Sequence, residues 1–502
     1  MGGSELEDKG ISKRRAVLVI HGIGQQRKYQ TLSEFTMGLI RLGLPAGYGI
    51  KGREIVKELS GMFAQSGIEL FDHGPVRLKG GMQVGLDVYK TDDSYDTRVT
   101  MDVPKGASKA DLLEVDIYES YWAQFTCGRT NILKVISWLI IMAFRSVSNV
   151  FAPRDPISLN PRYKLSRSGG FFKVAKEFLR ELGRFLMVLI ILFLVVWGLC
   201  YAVVEIIRPF YNNAGDYGNL LKPMFVSMTL FSLLWLFIAI QFIVRLFTGG
   251  LRIHWTMIIL LTIMLAAAGI ALYIVTALVR IWILQLALAI FLLTFIQKWF
   301  VEYLGDVEVY TSASDSGVNR DVRAKIIGEA QCKLETILKR TNAQTTGSGD
   351  DVPYYDDVII IGHSLGSVIA YDVLCRVLRH EGGPPAADAR RRVTQLYTVG
   401  SPLDKIWYFF RDRSQVDNPL YQGILGKLKG VKASGMTNSP LSDINWTNIW
   451  VFTDIVSGGL GEYGDLVENI HLNSMLLPPF VNHVQYWASG NVMKRLGERI
   501  FL

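Results

Sequence analysis

The feature that most constrains the fold is the stretch DDVIIIGHSLGSVIAYDVLCRVL, residues 356–378, in which an apolar run turns abruptly into a helical pattern. The uninterrupted β-branched run 358–361 predicts a strand buried on both faces of a parallel sheet. Apolar residues then recur at helical spacing, namely at Val368, Ile369, Val373 and Leu374. The residues between form a tight corner, where Gly362 and Gly366 lack side chains that would collide with the strand and the helix. The pattern therefore predicts that the hydroxyl of Ser364 is exposed at the strand tip.

Further strands are predicted on both sides of a long apolar block. The early candidates are AVLVIHGIG, MQVGLDVY, TRVTMDV and LLEVDIYES, which begin at residues 16, 82, 97 and 112. The later candidates are residues 358–361, VTQLYTVGSP at 393–402 and TNIWVFTDIVSGG at 447–459. Because strands that alternate with helices form parallel sheets, we predict an α/β fold with a doubly wound, mostly parallel sheet. Both flanks of the apolar block are expected to build that one sheet.

The apolar block indicates membrane-spanning helices. Hydrophobic residues make up 50% of the 502 residues and charged residues 20%, against roughly 25% charged in ordinary soluble domains. Residues 185–207, residues 223–244 and each half of 252–300 are long enough and apolar enough to cross ~30 Å of hydrocarbon as helices. Four crossings would return the chain to the side on which it started. We therefore expect an α/β domain interrupted by an inserted membrane domain, with boundaries at residues 1–165, 166–300 and 301–502.

The charges around this block predict its orientation. Cations precede the first crossing at Arg162, Lys164, Arg167, Lys173, Lys176, Arg180 and Arg184. The loop after that crossing is nearly neutral, so the positive-inside rule places the flanking parts in the cytoplasm. The amphipathic pattern of residues 171–183 is typical of a helix in the lipid headgroup layer, or of a solvated helix that continues into the first crossing. These cations account for much of the net charge of +8, so we expect a lipid bilayer and not a nucleic acid as partner.

The corner around Ser364 resembles the nucleophile turn of the α/β-hydrolase superfamily, in particular its lipase and esterase branches. The resemblance implies that Ser364 is the nucleophile and that an acid and then a histidine follow along the chain. A histidine would take the proton from the hydroxyl, and a carboxylate would orient the imidazole. His483, in VNHVQYWAS after the last predicted strand, is favoured as this base over His471. Asp454, which ends an aromatic and β-branched run, is favoured as the acid over Asp404.

The same resemblance implies an oxyanion hole made of backbone N–H groups. One donor would be Leu365, directly after the nucleophile. The other would be Ile23 or Gly24, in a His-Gly-Ile-Gly turn that is similar to the His-Gly motif of lipases. The residues expected to support the two motifs are His21, Gly22, Gly362, His363 and Gly366. The early turn can also be read as an ordinary strand end at which the histidine only packs.

Together these residues predict a membrane-embedded serine hydrolase that cleaves acyl esters of lipids through an acyl-enzyme. No metal or organic cofactor is predicted, and the four cysteines show neither metal-ligand nor redox spacing. Two alternatives stay open: a membrane-anchored esterase or thioesterase that acts on non-lipid acyl substrates, and a catalytically silent lipid-binding scaffold. Glu119 and Trp122 lie at a predicted junction between a strand and a helix, near the predicted site. A packing role is preferred for Trp122.

Overall fold

A nine-stranded β-sheet forms the centre of the fold. The computed structural model describes residues 11–24, 26–45, 51–66, 74–90, 95–104, 112–129, 134–135, 137–138, 304–311, 317–341, 352–379, 389–403, 441–451, 454, 456–472 and 483–502. The strands are β1 (Ile11–Ile20), β2 (Val76–Arg77), β3 (Gln83–Lys90), β4 (Tyr95–Pro104), β5 (Leu112–Ser120), β6 (Asp357–His363), β7 (Val393–Val399), β8 (Asn445–Val451) and β9 (Val467–Leu472). Their order across the sheet is β2-β3-β4-β5-β1-β6-β7-β8-β9.

Most neighbouring strands in this sheet run parallel, which makes the fold α/β. Strands β5, β1, β6, β7, β8 and β9 form one continuous parallel series. The β-branched run 358–361 lies in β6, and every residue of β6 is buried. A strand that is covered on both faces can be apolar throughout, so the unbroken run suits this central position.

One edge of the sheet is antiparallel, in contrast to the rest. Strands β2, β3, β4 and β5 pair antiparallel in sequence order. Four residues separate Lys90 from Tyr95, and seven separate Pro104 from Leu112. A parallel crossover needs a dozen or more residues, so connections this short restrict these strands to antiparallel pairing.

Helices cover both faces of the sheet. They are α1 (Gln30–Gly38), α2 (Gly52–Ser66), α3 (Gly305–Thr311), α4 (Gly317–Lys339), α5 (Leu365–Arg379) and α6 (Gly490–Phe501). The side chains of β1 alternate between two apolar cores: Leu18 packs in the core with α4 and α5, and Val19 packs in the core with α1 and α6. This alternation follows from the two-residue period of a strand.

Both flanks of the long apolar block contribute to the one sheet. Strand β1 lies between β5 and β6, so that Val17 is the register partner of Ile117 on one side and of Ile359 on the other. The sheet lies in a single compact unit to which the described residues of 11–129 and 306–502 belong. The carboxyl ends of β1, β5, β6, β7 and β8 therefore meet at one edge of the sheet, where ligands usually bind in parallel α/β folds.

The membrane part of the sequence prediction is corrected by the structure. Among the described residues, no helix combines the length and the apolar character that a bilayer crossing requires. A crossing needs about 20 predominantly apolar residues, whereas the longest described helix, α4, carries charges at Arg320, Asp321, Arg323, Lys325, Glu329, Lys333, Glu335 and Lys339. The predicted crossings at 185–207, 223–244 and 252–300, and the predicted interfacial helix at 171–183, lie outside the described residues. The inserted transmembrane domain, the multi-pass membrane localisation and the cytoplasm-facing orientation are therefore withdrawn.

Candidate functional site

The corner between β6 and α5 holds Ser364 in a strained backbone conformation. Its φ of 52° lies in the left-handed region, which a residue with a side chain rarely occupies. The N–H of Ser364 donates to the carbonyl oxygen of Val399 on the neighbouring strand at 2.9 Å. Strain that the surrounding structure maintains is common at functional sites. The strained backbone therefore marks Ser364 as a candidate functional residue.

Two glycines allow the strand and the helix to approach each other at this corner. A Cβ atom on Gly362 would lie 2.5 Å from the Cα of Ser367. On Gly366, a Cβ would lie 2.3 Å from the carbonyl oxygens of Ile20 and His21. Each distance is to backbone atoms, so no side-chain rotation could relieve the collision. The Gly-x-Ser-x-Gly spacing is therefore a steric requirement of the local fold.

The side chains of Ser364, His483 and Asp454 form a continuous hydrogen-bonded chain. His483 Nε2 lies 2.7 Å from Ser364 Oγ, and His483 Nδ1 lies 2.9 Å from Asp454 Oδ2. Asp454 follows β8, and His483 precedes a short 3-10 turn at Tyr486–Ala488. We call these three residues the triad. The structure thus brings together the three residues that the sequence analysis favoured as nucleophile, acid and base.

The carboxylate of Asp454 is held in place by four donors. Oδ1 accepts the backbone N–H groups of Val456 at 2.9 Å and Ser457 at 3.3 Å, while Oδ2 accepts the hydroxyl of Tyr486 at 2.7 Å as well as His483. Burial by itself would raise the pKa of this carboxyl, but these hydrogen bonds outweigh it and lower the pKa to about 2. Asp454 is therefore ionised near neutral pH. An ionised acceptor keeps the proton of His483 on Nδ1 and leaves Nε2 free to accept the proton of Ser364.

The serine hydroxyl is less accessible than the sequence pattern suggested. Only 1% of the Ser364 surface is exposed, whereas the corner pattern predicted an exposed hydroxyl. His483 covers it from one side, and the turn after β1 approaches from another. A Cβ atom added to Gly22 in that turn would lie 2.8 Å from the Cβ of Ser364. The local pattern could not predict this cover, because the covering residues lie far away along the chain.

His363, the residue before Ser364, supports His483. His363 Nε2 lies 2.9 Å from the carbonyl oxygen of His483, and the two rings stack with centroids 5.3 Å apart. The indole of Trp487 packs against the same His363 ring at 5.3 Å. Burial, with the neighbouring imidazole of His483, lowers the pKa of His363 to about 3. His363 is thus a neutral donor that positions the backbone of His483.

The turn after β1 is held beside Ser364 by contacts between His21 and Trp122. His21 Nε2 accepts the backbone N–H of Trp122 at 3.1 Å, and its ring stacks on the indole at a centroid distance of 4.7 Å. The indole N–H of Trp122 donates to the carbonyl oxygen of His21 at 3.0 Å. Burial lowers the pKa of His21 to about 4, against an opposing hydrogen bond to Gly22. His21 is therefore a neutral structural residue of this turn.

The predicted oxyanion donors differ in what their N–H groups contact. Gly24 N–H donates to Asp306 Oδ2 at 2.8 Å, so this donor is already occupied. No hydrogen bond from the N–H of Leu365 or Ile23 occurs among the turn and loop contacts of the described residues. Since the N–H of Gly24 is occupied, Ile23 and Leu365 stay the predicted pair of donors.

The alternative triad members are not part of this arrangement. His471 lies in β9, is exposed, and packs its ring against Trp450 at a centroid distance of 4.5 Å. Asp404 lies outside the described residues. Glu119, at the end of β5, accepts the N–H of Tyr29 at 2.5 Å, and burial raises its pKa to about 7. This carboxyl serves the start of α1 and not the triad.

Sequence reasoning missed three contributors to the site. The hydroxyl of Tyr486 bonds the acid, and Ser457 lies 3.2 Å from that hydroxyl. The spacing of Tyr486 three residues after His483 was a usable signal for this contact. Asp306 offered no signal, because its contact with Gly24 joins residues 282 positions apart.

A separate cavity of about 450 Å³ lies at the opposite ends of the central strands. Its lining includes Arg15, Asp357 and Arg499. The guanidinium of Arg15 is already bonded to both carboxylate oxygens of Asp357 and to the carbonyl oxygen of Arg499. Because these charged groups already pair with one another, we take the triad and not this cavity as the candidate functional site.

Comparison of the chain with protein families, with curated proteins and with solved structures gave no match. The functional interpretation therefore depends on the geometry described above.

Proposed function

We propose that this protein is a serine hydrolase that cleaves acyl esters through an acyl-enzyme. The observation that carries the proposal is the chain from Ser364 Oγ through His483 to Asp454, with contacts of 2.7 and 2.9 Å. An ordinary buried serine would need neither a left-handed backbone nor an imidazole oriented by an ionised carboxylate. The three features together provide what a weakly nucleophilic hydroxyl needs to react.

In the first half of the reaction, Ser364 Oγ attacks the acyl carbonyl carbon while its proton passes to His483 Nε2. The carbonyl π pair moves to the oxygen, and the N–H groups of Leu365 and Ile23 donate to this oxyanion. The intermediate collapses, the ester C–O bond breaks, and the leaving alcohol oxygen takes the proton from His483. Asp454 stays ionised and stabilises the imidazolium between these two transfers.

In the second half, water replaces the alcohol. His483 Nε2 takes a proton from the water as its oxygen attacks the acyl-enzyme carbonyl. Collapse of the second oxyanion breaks the bond between Ser364 Oγ and the acyl carbon, and the proton returns to Oγ. The products are a carboxylic acid and the free enzyme, and every proton is accounted for by this chain's own residues.

Lipid acyl esters are the substrate class that we propose first. The support is the likeness of the Gly-His-Ser-Leu-Gly and His-Gly-Ile-Gly motifs to those of lipases and esterases, at residues 362–366 and 21–24. Short-chain esters and acyl thioesters share the same acyl chemistry, and the experiment compares them directly.

The test is hydrolysis by wild type, Ser364→Ala and Ser401→Ala. Ser401 is a matched control, since it is buried shortly after β7 and bonds Ser367 at 2.7 Å instead of the triad. Each protein is incubated with p-nitrophenyl esters of increasing acyl length, with an acyl thioester, and with mixed micelles of phospholipid and acylglycerol. Mass spectrometry then measures the acids released.

We expect wild type and Ser401→Ala to release acid, and Ser364→Ala to be slower by about 10⁴-fold or more. Release of fatty acid from micelles would support the lipid class, and release from soluble esters alone would restrict the proposal to a non-lipid esterase. Equal rates in wild type and Ser364→Ala, or no release from any substrate, would contradict a hydrolase.

A further inference from the structure

A buried carboxylate from a distant part of the chain contacts the turn that carries the second oxyanion donor. Asp306 lies in the first turn of α3 and is 7% exposed. Its Oδ2 atom accepts the N–H of Gly24 at 2.8 Å. The sequence separation of 282 residues makes this a tertiary contact and not a property of the turn itself. Burying a charged group costs free energy unless the group is hydrogen-bonded, and the N–H of Gly24 provides such a bond.

The peptide unit before Ile23 is fixed from one side. His21 Nδ1 lies 2.8 Å from the carbonyl oxygen of Gly22, and it donates because Nε2 of the same ring accepts from Trp122. The Gly22 carbonyl and the Ile23 N–H belong to one planar trans peptide and point in opposite directions. Fixing that carbonyl therefore also fixes the direction of the Ile23 N–H.

The peptide unit after Ile23 is fixed by Asp306. The Gly24 N–H that bonds Asp306 shares its peptide plane with the carbonyl of Ile23. Gly24 has a φ of 106°, a conformation open to glycine, and its own carbonyl accepts the N–H of Gln26 at 2.8 Å. The planes on both sides of Ile23 are thus held, one by His21 and the other by Asp306.

The charge of Asp306 distinguishes positioning from direct catalysis. An anion close to a developing oxyanion would oppose it, so the carboxylate cannot help by its field. As the acceptor of the Gly24 N–H, however, its oxygen holds the turn in place. Asparagine at this position would keep an acceptor oxygen and lose the charge, which allows the two effects to be separated.

We propose that Asp306 is a positioning residue that holds the turn after β1 so that the Ile23 N–H is aimed at the oxyanion. This inference rests on the proposed hydrolase function. It assigns to the start of α3 a role in transition-state stabilisation, without any contact between Asp306 and the reacting atoms.

The experiment compares Asp306→Ala, Asp306→Leu and Asp306→Asn with wild type. Leucine fills the space of the carboxylate without accepting a hydrogen bond, and so provides a second test if the alanine variant does not fold. Glu308→Ala is the matched control, since Glu308 is a buried carboxylate of the same helix that bonds Asn319 at 3.2 Å instead of the turn. For each protein, kcat and KM on a soluble ester, the Ki of an alkyl boronic acid and the melting temperature are measured.

Loss of an entire oxyanion donor costs about 10²- to 10³-fold in kcat. We expect a misaimed donor to cost about 10- to 100-fold in Asp306→Ala and Asp306→Leu, with KM within about threefold of wild type. The boronic acid forms a tetrahedral adduct on Ser364, so its Ki should rise by the same factor as kcat falls. Asp306→Asn and Glu308→Ala should both stay within about threefold of wild type.

Several results would overturn the inference. They are an unchanged kcat in folded Asp306→Ala or Asp306→Leu, a rise in KM alone, and equal losses in Glu308→Ala. A loss in Asp306→Asn as large as in Asp306→Ala would also exclude positioning through the acceptor oxygen. Absence of both hydrolysis and boronic acid binding in wild type would instead reject the proposed function, and this inference with it.

Discussion

Two buried polar clusters of this molecule contain similar groups but differ in how the charge of the carboxylate is compensated. One is the triad of Ser364, His483 and Asp454. The other, which we call the Asp116 cluster, consists of Asp116, Arg98, Arg340, Tyr118 and Tyr355. Asp116 is completely buried and has the guanidinium groups of Arg98 and Arg340 at 3.2 and 2.8 Å from Oδ2. Among the described residues, the carboxylate of the triad pairs with no Lys or Arg side chain and faces the imidazole of His483.

Under the proposed function, this difference decides which cluster can react. In the Asp116 cluster, permanent charges of opposite sign are already paired, so a proton transfer would break an ion pair and gain nothing. In the triad, a proton can move from Ser364 to His483, and the charge that results is stabilised by Asp454. Burial is common to both clusters and does not separate them. We therefore expect changes in the triad to affect rate, and changes in the Asp116 cluster to affect stability.

The largest difference between an effect on rate and an effect on stability is expected for Asp454→Asn. The asparagine oxygen can still accept the N–H of Val456, but its amide N–H₂ would face His483 and favour the wrong tautomer. We predict a fall in kcat of about 10⁴-fold, as for the acid of other Ser-His-Asp triads, with a melting temperature close to wild type. Steady-state kinetics and thermal unfolding measure the two effects. A fall of less than tenfold would remove the functional difference between the clusters.

The reverse pattern is expected for Asp116→Asn. The substitution removes the carboxylate from the buried guanidinium of Arg98, which keeps only the more exposed Asp87, and from the partly exposed guanidinium of Arg340. We predict a loss of about 3 kcal/mol in the free energy of unfolding. Activity per folded molecule should not change. Urea denaturation followed by fluorescence measures the loss.

Asp87→Asn is the matched control for this prediction. Asp87 pairs with the same Arg98 but its side chain is 45% exposed, so its loss should cost less than about 1 kcal/mol. Equal costs for the two variants would show that the Asp116 cluster is not a buried stabilising network.

The smallest effect concerns the dependence of stability on pH around the triad. The folded-state pKa of His363, about 3, lies below its ordinary value of 6.5. Between these values the unfolded chain binds the proton and the folded chain does not, so stability rises with pH across this window and is fully present above 6.5. His363→Gln should remove this dependence, which amounts to about 1.4 kcal/mol per pH unit well inside the window.

The free energies of unfolding of His363→Gln and wild type are measured from pH 4.5 to 7.5, and the difference between them is compared across this range. Glu119, with a pKa raised to about 7, acts in the opposite direction in both proteins and cancels in that difference. His471→Gln, at an exposed position in β9, should leave the slope unchanged. A variant curve parallel to wild type would show that His363 is not held neutral by the fold.

Parts of the site could be predicted because their requirements are local. The β-branched run 358–361 requires a buried strand, and Gly362 and Gly366 require a close crossing directly after it. The order of nucleophile, acid and base that the resemblance implies, together with the residues around each candidate, then favours Asp454 over Asp404 and His483 over His471. The structure brings both to Ser364, although nothing in their local sequence measures a distance.

The parts that failed depend on information that local patterns do not contain. The burial of Ser364 results from the turn at Gly22, more than 300 residues earlier in the sequence. The contact of Asp306 with Gly24 requires the assembled sheet. The predicted membrane crossings rested on length and hydropathy alone, and no described helix has the character they required.

The most direct test of the central claim is covalent labelling with an alkyl fluorophosphonate, with the labelled peptide identified by mass spectrometry. Attack by Ser364 Oγ forms the O–P bond, expels fluoride and passes the proton to His483, so the reaction requires the triad and no particular substrate. We predict one phosphonylated residue, Ser364, and labelling at least about 10³-fold slower in His483→Gln. Absence of labelling, labelling at another residue, or an unchanged rate in His483→Gln would contradict the claim that these residues act as a nucleophile and its base.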